Sequence, residues 1–232
     1  YNNYLRDNKI NNFISKKMKV RKIEPKIKFK KTYKPIVLEG GAIDVNGKGS
    51  ILLTEECLLS TTQQRNKGFK KKDYEKYLSK LLNITNFIWL KKGIEGDDTH
   101  GHIDDISRFV SENTIMTAVE KNKNEKNFQI LNDNLIILKK VKNKNKKKFK
   151  IIKIPMPKPI FIDNIKVPAS YLNFLITNKT VLVPIFEDKN DIKVIRIFKK
   201  FFKKRKIIGI NCKKLIWGFG AIHCMTLQEP SI

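Results

Sequence analysis

Three short stretches of this 232-residue chain carry the residue types that could do covalent chemistry. "GFGAIHC" (218–224) ends on Cys224, with a histidine beside it and Gly218 and Gly220 just before. "GDDTHGHIDD" (96–105) offers His100, His102 and two aspartate pairs, and "VLEGGAID" (37–44) puts Glu39 ahead of Gly40 and Gly41. A thiol at its ordinary pKa is only slightly ionised at neutral pH. A nearby imidazole can favour the thiolate, protonate a leaving group and then take a proton from water. Carboxylates next to a thiolate would raise its pKa by like-charge repulsion. Cys, His, Glu and Asp together therefore make sense around a cation, and a planar guanidinium fits, because carboxylates grip it through paired hydrogen bonds. Other readings stay open. Cys224 could be a small buried apolar residue, His102 a capping or core histidine, and Glu39 a turn residue. The acids of 97–105 could ligate a divalent cation through oxygen, although the spacing around "HGH" matches no familiar metal motif.

The elements that would position these residues repeat along the chain. "DISRFVSENTIMTAVE" (105–120) and "SYLNFLITNKTVLVPIFE" (170–187) align as strand, Asn-containing turn and strand, with Phe109 and Phe174 in the first strands. "GAIDVNGKGSILLTEECLL" (41–59) adds a third such pair, turned at Asn46–Gly47, where positive φ is accessible to both residues. Helices follow at 72–82 and 190–204, each with one apolar face, and a weaker one falls within 124–133. Short apolar strands at 87–90, 149–154 and 206–210 close the units. The pattern is ββαβ about three times, with a partial unit before residue 36. Such units must pack on one another to cover their faces, and a radial α/β arrangement would gather their loops at a central mouth.

Composition limits the partners. The net charge is +27, yet lysine outnumbers arginine 43 to 6. A phosphate-reading surface would favour the planar Arg fork. The lysines instead spread over the surface alongside abundant Asn and Ile, and "KNKNKKKFK" (142–150) reads as a solvated loop. The composition thus points away from a specific nucleic-acid partner and from a membrane, with no apolar run long enough to span one. The three cysteines, Cys57, Cys212 and Cys224, are far apart and odd in number. That argues against a disulfide framework or a zinc site and for a reducing, cytoplasmic setting.

"VLEGGAID", "WLKKGIEGDDTHGHIDDISRF", "ASYLNFLITNKTVLVPIF" and "GAIHCMTLQEP" occur in an order that resembles the agmatine deiminase family, within the pentein superfamily of guanidine-modifying enzymes. The resemblance covers residues 36–230 most clearly and implies a single catalytic domain over 1–232. It implies a pentein-type α/β propeller of repeated ββαβ units, here incomplete at the N-terminus. It also implies hydrolysis of agmatine to N-carbamoylputrescine and ammonia, in putrescine and polyamine biosynthesis, with no cofactor and no metal. On this resemblance Cys224 is the nucleophile and His102 the general acid and base, while Glu39 and Asp104 hold the guanidinium. The partner is then a small cationic guanidine, and a homo-oligomer is compatible. Peptidylarginine or arginine deimination, or a degenerate non-catalytic relative, are the alternatives. The sequence departs from the family in two places. A WxRDxGP motif near the N-terminus, with a further guanidinium-binding Asp, has no counterpart; Asp7 in "YLRDNKI" lacks the Trp and the Gly-Pro. Phe219 and Ala221 replace a Gly and an Asn next to the cysteine, which bears on catalytic efficiency.

Overall fold

The computed structural model describes residues 6, 9–29 and 32–229. The chain divides into two compact units, Tyr1–Val37 and Leu38–Ile232. In the first, helix α1 (Ile10–Met18) is followed by the antiparallel hairpin of β1 (Lys26–Phe29) and β2 (Thr32–Pro35). Asp7 lies outside the described residues.

The second unit contains the three expected repeats. The first is β3 (Asp44–Val45), β4 (Ser50–Thr54), α2 (Glu55–Leu59), α3 (Lys71–Leu82) and β5 (Asn86–Leu90). The second is β6 (Ser107–Ser111), β7 (Thr114–Val119), α4 (Lys126–Lys140) and β8 (Lys150–Pro155). After the hairpin β9 (Ile160–Ile162) and β10 (Ile165–Val167) comes the third: β11 (Leu175–Ile176), β12 (Thr180–Ile185), α5 (Asp191–Phe201) and β13 (Lys206–Asn211). In each repeat the middle strand pairs antiparallel with the strand before it and parallel with the one after the helix. The parallel partner needs a crossover, and the helix supplies it. All five residues of β4 are buried, as expected of a central strand covered on both faces. Among the described strands, each three-stranded sheet is separate and none closes on itself.

Local chemistry explains the differences from the sequence reading. Asn46 and Gly47 do not form a two-residue turn. The Asn46 side chain instead accepts from the N–H groups of Lys48 and Ser50, and Gly47 and Gly49 take the positive φ values. Phe174 is fully buried but precedes its strand rather than lying in it. Helix α4 runs seven residues past the expected end at 133, on a face carrying Leu131, Asn134, Leu135 and Leu138. The polar Asn134 masked that face in the sequence. Its Oδ1 accepts from Lys91 N–H and its Nδ2 donates to Lys92 C=O, so it terminates the chain leaving β5.

The three repeats meet at one guanidinium. Arg108 of β6 pairs with Asp44 of β3 and donates to the carbonyls of Leu172 and Phe174, ahead of β11. Asp44 Oδ1 also accepts from Phe109 N–H, and Arg108 lies 4.9 Å from the centre of the Phe174 ring. Burial outweighs the Arg108 charge at Asp44 and raises its pKa above its ordinary value.

Candidate active site

His102 is delivered by the loop that follows β5. Asp97 fixes that loop: its Oδ2 accepts from the N–H groups of Gly101 and His102, both at 2.9 Å, and its Oδ1 from Thr99 N–H at 2.8 Å. The His102 side chain is buried and passes close to Gly41. A Cβ on Gly41 would come within 2.5 Å of His102 Nδ1 and 3.0 Å of both Asp104 oxygens. Gly41 is thus the point where the first repeat lets the imidazole and the carboxylate come together, and any side chain there would push them apart. The other imidazole nitrogen, Nε2, lies 4.0 Å from Glu39 Oε2.

Glu39 divides its oxygens. Oε1 accepts from Arg65 Nε at 2.8 Å, and Arg65 also donates to the carbonyls of Thr99 and Cys57. Oε2 has no hydrogen-bond partner although it is buried, and the same holds for His102 Nε2 and Asp104 Oδ1. Buried polar atoms without partners are uncommon and call for an explanation.

Cys224 sits in a 3-10 turn, His223–Met225, at the end of the third repeat. The turn is held by Asn173, which is completely buried. Asn173 Oδ1 accepts from His223 N–H at 2.9 Å and Cys224 N–H at 3.2 Å. Its Nδ2 faces Cys224 Sγ at 3.0 Å, Asp105 Oδ1 at 3.0 Å and Asp104 Oδ2 at 3.1 Å. Cys224 Sγ also lies 3.6 Å from Asp104 Oδ2. The residue as a whole is exposed, while its sulfur faces the acids. Desolvation, then Asp105 and Asp104, push the thiol well above its usual pKa.

The two aspartates behave differently. His223 Nδ1 is 2.7 Å from Asp104 Oδ2. Burial opposes ionisation of Asp104, but this hydrogen bond and the charges of His223, Arg108 and His102 hold its pKa below the ordinary value. Asp105 has no such partner; burial, then the charges of Asp104 and Asp97, raise it well above. Of the two, Asp104 is therefore the readier to carry charge and Asp105 the readier to hold a proton.

Cys224, His102, Glu39 and Asp104 thus come together, with Asp104 touching the thiol on one side and Gly41 bringing it to His102 on the other. The acids of 97–105 split: Asp97 is committed to backbone N–H groups, while Asp104 and Asp105 face Asn173 and lie within 4.8 Å of the Cys224 sulfur. His100 turns away, its Nδ1 3.0 Å from the Asp98 carbonyl. Arg65 and Asn173 were missed from sequence, and His223 was noticed beside Cys224 but given no role. For Arg65 a signal existed. In a chain with 43 lysines and six arginines, an arginine is a place to look for a required fork, and two of the six, Arg65 and Arg108, occupy such places. Phe219 takes φ 58°, a left-handed conformation, so a glycine would suit that position. A Cβ on Gly220 would meet Cys224 Cβ at 2.6 Å and Sγ at 3.2 Å.

Comparison with known proteins agrees with this architecture. The profile of the Porphyromonas-type peptidyl-arginine deiminase family matches residues 1–230. A candidate agmatine deiminase of Marinomonas sp. (strain MWYL1) is 34% identical over 213 residues, 84% of this chain and 57% of its own length. A similar candidate from Lactococcus lactis subsp. lactis (strain IL1403) is 34% identical over 211 residues, with 84% and 57% covered. The chain therefore spans a little over half the length of these relatives. A solved C. jejuni agmatine deiminase, a cysteine-to-serine variant with substrate bound, superposes with a TM-score of 0.81 at 31% identity, over 94% of this chain and 61% of that one. Agmatine deiminase of Enterococcus faecalis gives 0.78 at 32% identity, over 84% and 57%. With its repeats, its Cys–His–acid cluster and a profile match over nearly its whole length, the chain belongs to the Porphyromonas-type peptidyl-arginine deiminase family.

Proposed function

We propose that the chain hydrolyses the guanidinium group of a small cation, with agmatine as substrate and N-carbamoylputrescine and ammonia as products, and so feeds putrescine formation. One observation carries this reading. Glu39 Oε2, His102 Nε2 and Asp104 Oδ1 are buried and lack hydrogen-bond partners, and the carboxylate of Asp104 adjoins the Cys224 sulfur. A guanidinium supplies five N–H donors in a plane and would satisfy the two carboxylate oxygens.

The steps follow from the charges. Without a cation, the acids keep Cys224 protonated; a guanidinium between Asp104 and Glu39 reverses that field. The thiol passes its proton to His102, and the thiolate attacks the guanidinium carbon. His102 protonates the departing nitrogen, which leaves as ammonia, and an S-alkylthiouronium remains on Cys224. Water, deprotonated by His102, adds to the same carbon, and the C–S bond breaks to give the ureido product and free Cys224. Glu39, held by Arg65, orients the imidazole and the cation. The three ββαβ repeats act as consecutive blades of a pentein propeller, with the site on their loops in Leu38–Ile232.

Turnover on agmatine, free arginine and an arginine peptide tests the substrate. The family's peptidyl-arginine description favours the peptide as the second reading. Ammonia release from agmatine, abolished in Cys224→Ala, is expected; release from the peptide alone would overturn the agmatine assignment.

A further inference from the structure

Behind His102 lies a second thiol that the hydrolytic mechanism does not use. Cys57, on α2, is completely buried. One donor atom each from Cys57, His102 and Glu39 lies within 4.8 Å of the others. Two of the three side chains carry buried atoms with no hydrogen-bond partner, His102 Nε2 and Glu39 Oε2, which lie 4.0 Å apart. His102 is 93% buried, being 7% exposed, so its open nitrogen is a preformed, water-poor donor. The Glu39 side chain is 37% exposed, so the cluster borders the surface at that residue.

We propose that Cys57, His102 and Glu39 form an inhibitory binding site for a thiophilic divalent cation, Zn²⁺ in chemical preference. Thiolate, imidazole and carboxylate are the ligand types that Zn²⁺ takes. A tetrahedral ion with its usual bond lengths separates its donors by about 3.3–3.6 Å, so the side chains close by about an ångström. A fourth position remains for water. Mg²⁺ and Ca²⁺ prefer sets of oxygen ligands and are poorly served by sulfur and nitrogen. Glu39, Asp97 and Asp104 place negative charge around Cys57, against the single positive charge of Arg65. Binding displaces the Cys57 proton to solvent. The ion then occupies the imidazole nitrogen and the carboxylate oxygen that would otherwise serve a guanidinium. It is an inhibitor competitive with substrate, not a cofactor. The inhibition rests on the proposed hydrolase reading; the binding does not.

Metal-free 232-residue chain is titrated with ZnCl₂, bound metal is counted after equilibrium dialysis, and CoCl₂ serves as a spectroscopic substitute. Wild-type and Cys224→Ala proteins should each bind one ion and show a thiolate-to-cobalt absorption band. Cys57→Ser and Cys57→Ala should lose the band, bind at least about tenfold more weakly, and retain turnover that Zn²⁺ no longer inhibits. Should both Cys57 variants fail to fold, the Cys212→Ala/Cys224→Ala protein leaves Cys57 as the sole cysteine, and the band must persist there. Absence of stoichiometric binding overturns the site. So does loss of the band in Cys224→Ala, which would place the ion on Asp104, Asp105 and Cys224, or in the protein whose sole cysteine is Cys57. Zn²⁺ held by Cys57 in a chain that turns over no guanidine would leave the site standing and sink the hydrolase reading.

Discussion

Asn173 determines where the Cys224 sulfur points. Its carboxamide takes the two N–H groups that shape the Cys224 turn and faces the sulfur and both aspartates. Nothing in "SYLNFLITN" (170–178) marks it, because an asparagine beside a hairpin usually serves a turn. The pair Cys224 and His102 was legible because thiol and imidazole are rare in this chain, whereas one Asn among many was not. Asn173→Ala should lower kcat about 100-fold, the cost of a nucleophile displaced by an ångström, with a smaller change in KM; steady-state kinetics on agmatine checks it, and an unchanged kcat would deny the positioning role. The thiol makes a second prediction. Burial and the two aspartates raise its pKa in the free protein, so Cys224 is protonated at pH 7–8. A non-reacting alkylguanidine should increase thiolate ultraviolet absorbance at that pH in wild type and not in Cys224→Ala. The sign follows from the charges, because a cation between the carboxylates favours the anionic sulfur. No increase at saturating ligand would contradict it.

At the scale of elements, period and turn chemistry made the ββαβ order readable, and polar side chains with structural duties blurred it. Tyr74 and Leu78 face inward from α3, and Val194 and Phe198 from α5, each four residues apart, so those helices were clear. In α4 the inward face includes Asn134, which made the pattern look like the end of a helix. Asn134→Leu would improve the apolar stripe and the helix propensity. It should nevertheless destabilise by about 1–3 kcal/mol, since it strands the Lys91 N–H and the Lys92 carbonyl that Asn134 satisfies. Urea denaturation measures the change, and a stabilised variant would show that those backbone groups find other partners. The hairpin of β9 and β10 turns at Asp163 and Asn164, both with positive φ. Those residue types suit such a turn, but the strands are too short for alternation to announce them.

For the whole molecule, the decisive contacts join sequence positions that no local pattern connects. Arg108, Asp44 and the carbonyls of Leu172 and Phe174 bind the three repeats through one buried guanidinium. Arg108→Ala leaves a buried Asp44 unpaired and should cost about 3–5 kcal/mol. Arg108→Lys should recover only part of that, because an ammonium cannot fork to a carboxylate and two carbonyls at once. Thermal denaturation of the two variants tests the ranking, and a lysine variant as stable as wild type would remove the role given to the fork. Among the described residues the lysines behind the +27 charge are mostly exposed, and the site is built by Arg65, acids and neutral groups.

The most direct test is to mix the chain with agmatine, quench with acid within a turnover and map the mass of every cysteine peptide. The account predicts a gain equal to agmatine less ammonia on the peptide containing Cys224, absent in Cys224→Ala, whose ammonia release is also lost. Ammonia formed at full rate by Cys224→Ala, or an adduct on Cys57 or Cys212 instead, would contradict it.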